Sequence, residues 1–286
     1  MRRPPANEPA LSGRGEGSTA LELRGVRAGY GKSAAVLRDI ALAVPARRLT
    51  AILGPNGCGK TTLIRVLSGL LAIRSGEVLL YGSPIGRFRR REYAQQVGVL
   101  FQVNEAPPAL EVSDLMARSR FPYTTLLRQW SGADEIAVGR AMNLAGVTGL
   151  RDRQVGSLSG GQMQRVWLAS LLAQETDVLL LDEPLTFLDV AAQRHTLVLL
   201  RSAVEHGRTV ITTLHELNHA RFADHLVVMK DGGIVTSGSP QEVFSARVLS
   251  PIFETPLVEI HKQGETLPML SIDPIAVDLD DRDLRC

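Results

Sequence analysis

The 286-residue sequence predicts an α/β fold whose sheet is largely parallel. Short apolar runs alternate along the chain with stretches in which apolar residues recur at helical spacing, as in successive strand–helix units. The runs at 178–181 (VLLL) and 209–212 (TVIT) are almost entirely apolar or β-branched, which is typical of central strands covered on both faces. A third run, at 50–53 (TAIL), leads into a glycine-rich loop.

The elements are expected in the following order. Residues 50–53 form the first buried strand, and a helix follows whose apolar face carries Leu63, Val66, Leu67 and Leu70. The two later apolar runs supply further central strands, so the strands of one sheet are separated along the chain by an intervening segment. The intervening residues 103–156 contain helix-prone stretches and are expected to form an inserted helical subdomain.

The composition is that of a globular protein, with 44% hydrophobic and 22% charged residues. A net charge of +2 without a strong basic stripe argues against nucleic acid as a partner, and the arginine-rich run at 87–91 is interpreted as solvated surface. Cys58 and Cys286 cannot build a disulfide framework or a metal site, so a reducing cytosol is the expected compartment.

Two further expectations concern membranes and the N-terminus. No apolar stretch approaches the about 20 residues that a membrane-spanning helix needs. Residues 1–20 are rich in Pro, Gly, Arg and Ser and lack the apolar centre of a secretory signal. We therefore expect a chain that does not cross the membrane and that begins with a disordered tail.

The loop at 54–61, GPNGCGKT, fits the phosphate-loop pattern G-x-x-x-x-G-K-[ST] in full. Its glycines let backbone amides converge on phosphate oxygens, and the next helix turns its positive N-terminal end to the same anion. Lys60 is predicted to reach the β- and γ-phosphates, and the Thr61 hydroxyl to ligate Mg²⁺. Cys58 is interpreted as a small loop residue. The predicted nucleotide contacts here are Gly54, Pro55, Asn56, Gly57, Cys58, Gly59, Lys60, Thr61 and Thr62.

An acidic pair closes the apolar run at 178–181. Asp182 is predicted to hold the metal, directly or through water, and Glu183 to polarise the attacking water as general base. An Asp-Glu pair alone is a weak signal because most such pairs are solvated turn residues. In a chain with a complete phosphate loop, it indicates nucleotide hydrolysis.

A second glycine-rich segment, LSGGQ at 158–162, opens an amphipathic helix with an apolar face of Met163, Val166, Trp167 and Leu171. By itself, Ser159 would be interpreted as a plain N-cap. Beside the other two motifs, the amides and hydroxyl of Ser159, Gly160, Gly161 and Gln162 indicate a second anion site, serving the γ-phosphate bound by another copy of the chain.

These motifs together resemble the nucleotide-binding subunits of ATP-binding cassette (ABC) transporters, over about residues 21–258. The resemblance implies a phosphate-loop NTPase core with a mostly parallel sheet, an antiparallel β N-terminal part and the helical insertion, leaving 259–286 as a C-terminal extension. It implies that Tyr30 stacks on adenine and that Gln102 contacts Mg²⁺ and the attacking water. It also implies that Asp189 crosses the dimer seam and that His215 is a catalytic switch residue contacting the γ-phosphate.

Within the family, the sequence resembles the ATPases of iron-siderophore, haem and cobalamin importers. The segments RSRFPYTTLL, TFLD, LHELNHARFADHLVVMKDGGIVTSGSP and PLVEI carry this resemblance. Leu185, Glu216 and Ser119 depart from it, where Thr, Asp and Gly are usual. The resemblance favours uptake of a ferric siderophore or related iron chelate. A haem or cobalamin importer, an exporter of the same architecture and a non-transport ABC ATPase, such as one for cluster assembly, are the alternatives.

This resemblance also implies the partners. ATP and Mg²⁺ are the expected cofactors, a second copy of the chain completes the site, and a polytopic membrane permease receives the work. A substrate-binding protein is an indirect partner, and the chain is placed peripherally at the cytoplasmic face of the membrane. A permease helix is expected to dock between residues 102–108 and 118–123.

Overall fold

The structure, a computed structural model, describes residues 17–31, 33–102, 104–124 and 130–273. Its centre is a six-stranded sheet in the order β10-β9-β3-β8-β7-β6, with strands numbered in chain order. Neighbouring strands are parallel except β10, which runs antiparallel to β9 at one edge. These strands are β3 (Leu49–Leu53), β6 (Val97–Leu100), β7 (Val178–Leu181), β8 (Thr209–Thr213), β9 (His225–Lys230) and β10 (Gly233–Gly238). The predicted fold class is confirmed.

The three strands predicted from apolar runs are β3, β7 and β8, and every residue in them is buried. Helix α1 (Lys60–Leu67) follows β3 and buries Leu63, Val66 and Leu67. The prediction for Leu70 is wrong, because α1 ends at Leu67 and Leu70 is exposed. Gly69 adopts a φ of 72°, a left-handed conformation that glycine favours just past a helix end.

The N-terminal part forms a four-stranded sheet in the order β2-β1-β4-β5, antiparallel throughout. Its strands are β1 (Thr19–Ala28), β2 (Leu37–Pro45), β4 (Ile73–Leu80) and β5 (Ser83–Pro84). β1 begins at Thr19, so the last two residues of the tail predicted for 1–20 lie in a strand. Residues 1–16 of that tail lie outside the described residues.

The remaining helices are α2 (Arg90–Ala94), α3 (Val112–Arg118), α4 (Gly132–Leu144), α5 (Gly160–Ala173), α6 (Val190–Glu205), α7 (Pro240–Val243) and α8 (Ala246–Phe253). Helices α3 and α4 pack on α5. Ser131 caps α4, since its hydroxyl accepts a hydrogen bond from the amide of Asp134. Buried side chains of α3, α4 and α5 join one continuous core with one face of the large sheet.

The C-terminal strands β11 (Leu257–Ile260) and β12 (Met269–Ile272) form an antiparallel hairpin. The predicted domain boundary at residue 258 falls inside β11 and would cut this hairpin. Asn218 exchanges two hydrogen bonds with the backbone of Leu270, at 3.0 and 2.9 Å, which fastens the hairpin to the segment that follows β8. No helix within the described residues is long and apolar enough to span a bilayer.

Candidate nucleotide-binding site

The phosphate loop connects β3 to α1 and has the conformation that its glycines permit. Gly54, Gly57 and Gly59 adopt φ values of 153°, 77° and 108°. A Cβ atom at Gly54 would collide with the carbonyl oxygen of Met229, so only glycine fits there. Gly59 stands at the N-cap of α1, and no side chain caps the helix. The first amides of α1 therefore remain available to an anion.

Lys60 extends back across this loop. Its ammonium group is nearly buried and donates to the carbonyl oxygens of Gly54, at 2.8 Å, and Pro55, at 3.1 Å. An ammonium group has three donors, so one is left for a phosphate oxygen. Burial raises the pKa of the neighbouring Cys58 thiol, which disfavours the reactive thiolate and fits the interpretation of Cys58 as a small loop residue and not a redox centre.

An open cleft of about 540 Å³ lies beside the loop. It brings together four residues that the sequence predicts to act on the nucleotide: Tyr30, Thr61, Gln102 and Asp182. Oxygen donors of Thr61, Gln102 and Asp182 are the ligand type that Mg²⁺ prefers, and Asp182 is only 2% exposed. In the described part of the chain, no cluster of three His, Cys, Asp or Glu side chains offers a metal cage. The residues therefore fit an ion that completes its shell with phosphate and water.

The acidic pair after β7 is held by a residue that the sequence analysis missed. Thr213, the last residue of β8, donates its hydroxyl to Asp182 Oδ1 at 2.8 Å. The backbone N–H of Glu183 donates to the same hydroxyl oxygen, also at 2.8 Å. Thr213 thus sets the two acids relative to each other. Its only signal in the sequence is its place at a strand end, two residues before the switch histidine.

Glu183 and His215 lie beside each other in the structure. Glu183 Oε1 lies 2.6 Å from His215 Nε2. The other carboxylate oxygen, Oε2, is buried and has no hydrogen-bond partner within the described structure. Glu183 also has a φ of 52°, in the left-handed region that non-glycine residues adopt at an energetic cost. The site thus contains a carboxylate on a strained backbone, with one buried oxygen that lacks a hydrogen-bond partner.

Tyr30 is 41% exposed and lines the cleft, in keeping with a platform for a base. Its hydroxyl accepts a hydrogen bond from Arg65 Nη1 at 3.0 Å and lies 3.5 Å from Thr62 Oγ1. Arg74 donates to the backbone oxygens of Tyr30 and Gly31. Neither arginine was predicted from the sequence, where no motif marks them.

At the LSGGQ segment, the plain N-cap interpretation describes what this single chain does. The amide of Gln162 donates to Ser159 Oγ at 3.3 Å, and the Gln162 side-chain oxygen accepts from the Ser159 amide at 3.0 Å. A Cβ at Gly160 or Gly161 would meet no atom within 4 Å. Packing inside this chain therefore gives no reason for two glycines.

Asp189 is likewise an N-cap, accepting a hydrogen bond from the amide of Ala192 at 2.7 Å at the start of α6. Two apolar side chains beside it are unusually exposed, Phe187 at 96% and Val190 at 82%. Of the residues that depart from the family pattern, Leu185 is buried in the main core, and Ser119 donates to the carbonyl of Met116 at 2.6 Å.

Comparisons with known proteins identify the family of this chain. The family model described as ABC transporter matches residues 37–186. The probable siderophore transport system ATP-binding protein YusV of Bacillus subtilis is 40% identical over 265 residues, covering 88% of this chain and 96% of the relative. The ferric enterobactin transport ATP-binding protein FepC of Escherichia coli is 43% identical over 227 residues, covering 79% and 83%. Among solved structures, a chain of an inward-facing ABC transporter described as of metal-chelate type matches with a TM-score of 0.77 and 25% identity, covering 89% of this chain and 97% of that one.

Proposed function

This chain belongs to the ABC transporter family, and we propose that it is the ATP-hydrolysing subunit of an importer that takes up a ferric siderophore or related iron chelate. The observation that carries the proposal is the match, over 79–96% of the chains compared, to ATP-binding proteins named for siderophore transport and for ferric enterobactin transport. The site supplies the chemistry of hydrolysis. The free energy of ATP hydrolysis drives transport through a separate membrane permease.

The nucleotide is held by two kinds of contact. The free amides of the phosphate loop and α1, together with the third donor of Lys60, bind the β- and γ-phosphates. Tyr30 offers its ring to the adenine. Bound Mg²⁺, held by Thr61, Gln102 and Asp182, would neutralise charge on the phosphates. Because Thr213 bonds to both Asp182 and Glu183, the metal ligand and the base keep a fixed separation.

Hydrolysis needs a base beside the γ-phosphate, and Glu183 has the features of one. Its free, buried Oε2 can accept a proton from a water molecule, while His215 holds Oε1. Orientation of the carboxylate by a second residue favours proton transfer at a defined atom. His215 is exposed at the strand end, so it can also reach the γ-phosphate when nucleotide is bound.

The experiment that tests this mechanism is the substitution Glu183→Gln. The variant should bind ATP with the affinity of the parent chain and lose phosphate release by a factor of about 10² or more, because general-base catalysis contributes roughly that much. Phosphate release is measured in the presence of the permease. Normal turnover by this variant would remove Glu183 from the catalytic role.

A second copy of the chain is proposed to complete each site. Gly160 and Gly161 leave open space above the N-terminus of α5, where a phosphate group carried by another copy can approach the backbone. The exposed Phe187 and Val190 lie next to Asp189, the residue proposed to cross the seam. Two sites per dimer follow, each formed by one phosphate loop and one LSGGQ segment.

Gly161→Ala separates this proposal from a purely structural role. Nothing in the chain opposes the added methyl group, and alanine favours a helix over glycine by about 1 kcal/mol, so the free energy of unfolding should rise or stay unchanged. Hydrolysis should nevertheless fall, as it should in Ser159→Arg, while ATP still binds to the monomer. Full activity of both variants, or a specific activity independent of protein concentration, would exclude the composite site.

The permease is proposed to dock at the cytoplasmic face of the membrane, on the helical part formed by α3, α4 and α5. The docking site lies between residues 104–108 and 118–123. Buried Arg120 stacks on Tyr123, with its Cζ 4.0 Å from the ring centroid, and Arg91 donates to the carbonyls of Pro122 and Thr124. This fixed segment presents Phe121, which is exposed. Part of the arginine-rich run is therefore structural and not merely solvated surface.

The cargo is tested by uptake of radiolabelled ferric siderophores, haem and cobalamin in cells with and without the gene. Loss of ferric-siderophore uptake under iron starvation is expected. Unchanged siderophore uptake with reduced haem or cobalamin uptake would replace the cargo and keep the importer. Unchanged uptake of all three, with normal ATPase activity, would favour a non-transport ATPase.

A further inference from the structure

Arg65 lies in the last turn of α1, and its side chain forms part of the nucleotide cleft. Its Nη1 donates to the hydroxyl of Tyr30 at 3.0 Å, and its Cζ lies 5.6 Å from the centroid of that ring. The same Cζ lies 5.9 Å from the ring centroid of Phe101. No carboxylate pairs with Arg65 among the residues that the structure describes. The guanidinium group therefore interacts mainly with two aromatic rings.

The rings of Tyr30 and Phe101 lie in segments with different proposed roles in the nucleotide site. Tyr30 is the proposed platform for adenine. Phe101 follows the end of β6 and is bonded directly to Gln102, the proposed ligand of the metal and of the attacking water. Gln102 is also the point where the chain leaves the sheet for the helical part. Arg65 thus has ring contacts to both the base platform and the start of this segment.

We propose that Arg65 is a positioning residue that couples base stacking on Tyr30 to the placement of Gln102. The inference rests on the proposed nucleotide site and adds to it a route from the base to the reacting phosphate. A base on Tyr30 restricts the ring, the hydrogen bond carries that restriction to the guanidinium, and the cation then fixes the ring of Phe101. Occupancy of the base site thereby favours one position of the next residue, Gln102.

The coupling differs measurably from two simpler roles. A residue that only contacts the base would change the Kd for ATP and leave kcat unchanged. A residue that only packs would lower the melting temperature and leave both constants unchanged. A positioning residue changes kcat and leaves the Kd for ATP almost constant, because its effect appears in the hydrolysis step, where Gln102 contacts the metal and the attacking water.

The first test is Arg65→Met, which keeps a long apolar side chain and removes the charge and the donors. We expect kcat for ATP to fall by about five- to thirtyfold, the value of two exposed cation–π contacts, with the Kd for ATP within about twofold of the parent chain. Arg65→Lys retains a cation and should recover part of the loss. Arg24→Met is the matched control, since Arg24 is an exposed arginine on β1 that pairs with Glu22 and Glu77.

The second test uses Tyr30→Phe, which keeps the ring for stacking and removes the hydroxyl that accepts from Arg65. It should lower kcat by itself but add no loss in the Arg65→Met background, because both changes break the same contact. Additive losses, a change in Kd alone, or kcat values equal to those of the Arg24 control would each overturn the proposal. Absence of ATP hydrolysis in the parent chain would instead contradict the proposed function, so the two failures are distinguishable.

Discussion

Replacing Asp134 by alanine should destabilise the chain by about 3–5 kcal/mol, because it removes the buried carboxylate that pairs with Arg120 Nε. Arg120 and Asp134 are both buried, and Arg120 Nε donates to Asp134 Oδ1 at 2.9 Å. Burial alone would raise the pKa of Asp134, but hydrogen bonds from Ser131 and Arg120 outweigh it and hold that pKa below its usual value. The carboxylate is therefore the stabilised form in the folded chain.

The magnitude follows from what remains when the carboxylate is removed. Arg120 Nη1 keeps its bond to the carbonyl of Ala173 at 2.8 Å and a contact with Glu175 at 3.3 Å. Nε loses its acceptor in a site closed to water, which places the cost near that of breaking a buried ion pair. The two bonds that Asp134 Oδ2 accepts from the amide and the hydroxyl of Ser131 are lost as well and contribute about 1 kcal/mol of this.

The assay is denaturant and thermal unfolding, with Glu135→Ala as the control from the adjacent position of α4. Glu135 pairs with Arg151 at 2.8 Å, but both side chains are about half exposed, at 48% and 49%, so its loss should cost under about 1 kcal/mol. The Asp134 variant should lose about 6–20 °C in Tm. Equal, small effects of the two substitutions would refute the assignment of a buried ion pair, as would no relief from adding Arg120→Met.

Three further predictions concern separate parts of the chain. Lys60→Ala should weaken ATP binding by about tenfold or more in an equilibrium titration, because a charge-assisted bond of roughly 1.5–3 kcal/mol is lost; unchanged affinity would contradict its role. Burial, with Arg48 adding to it, lowers the pKa of His225, so the folded chain should lose stability as pH falls below about 6.5, the ordinary histidine value. His225→Asn should flatten that dependence between pH 7.5 and 5, and an unchanged slope would exclude His225 as its source. Asn218→Ala removes both bonds to Leu270 and should speed amide exchange in β11 and β12 while β7 stays protected; equal exchange in parent and variant would show that the hairpin holds by other contacts.

Local patterns in the sequence predicted the buried strands and the phosphate-binding motif, because each of these features depends on residues that are adjacent in the chain. A run such as VLLL needs no distant partner to indicate a buried strand, and the phosphate loop carries its glycine requirement in eight residues. The order of the strands in the sheet could not be predicted in this way. Segments at the carboxyl ends of β3, β8, β7 and β6 meet at one edge only because these four strands are adjacent, which no local pattern gives.

The residues that were missed act through such distant contacts. Thr213 reaches Asp182 across two neighbouring strands, and Arg65 reaches Tyr30 from 35 positions away. Neither lies in a short motif, so spacing gives no signal. The error at Leu70 has a local cause, since Gly69 ends the helix one residue before the expected face is complete. The start of β1 at Thr19 and of β11 at Leu257 depends on pairing partners that the sequence alone does not reveal.

The helices α3, α4 and α5 share a buried core with the central sheet, and this limits how far they can move when nucleotide binds. Val112, Met142 and Val166 belong to the same buried cluster as Leu53 and Leu181 of the central sheet, so the helical part does not have a core of its own. Swinging it away as a separate body would expose this apolar surface to water, at about 25 cal/mol for each Å². We therefore expect the movement that couples hydrolysis to the permease to be a small sliding of α3 and α4 with α5 in continuous contact, as in shear motions of packed helices. Position-specific crosslinks between α4 and α5 should then leave ATP hydrolysis with the permease intact, whereas crosslinks that tie residues 104–108 to the sheet should stop it.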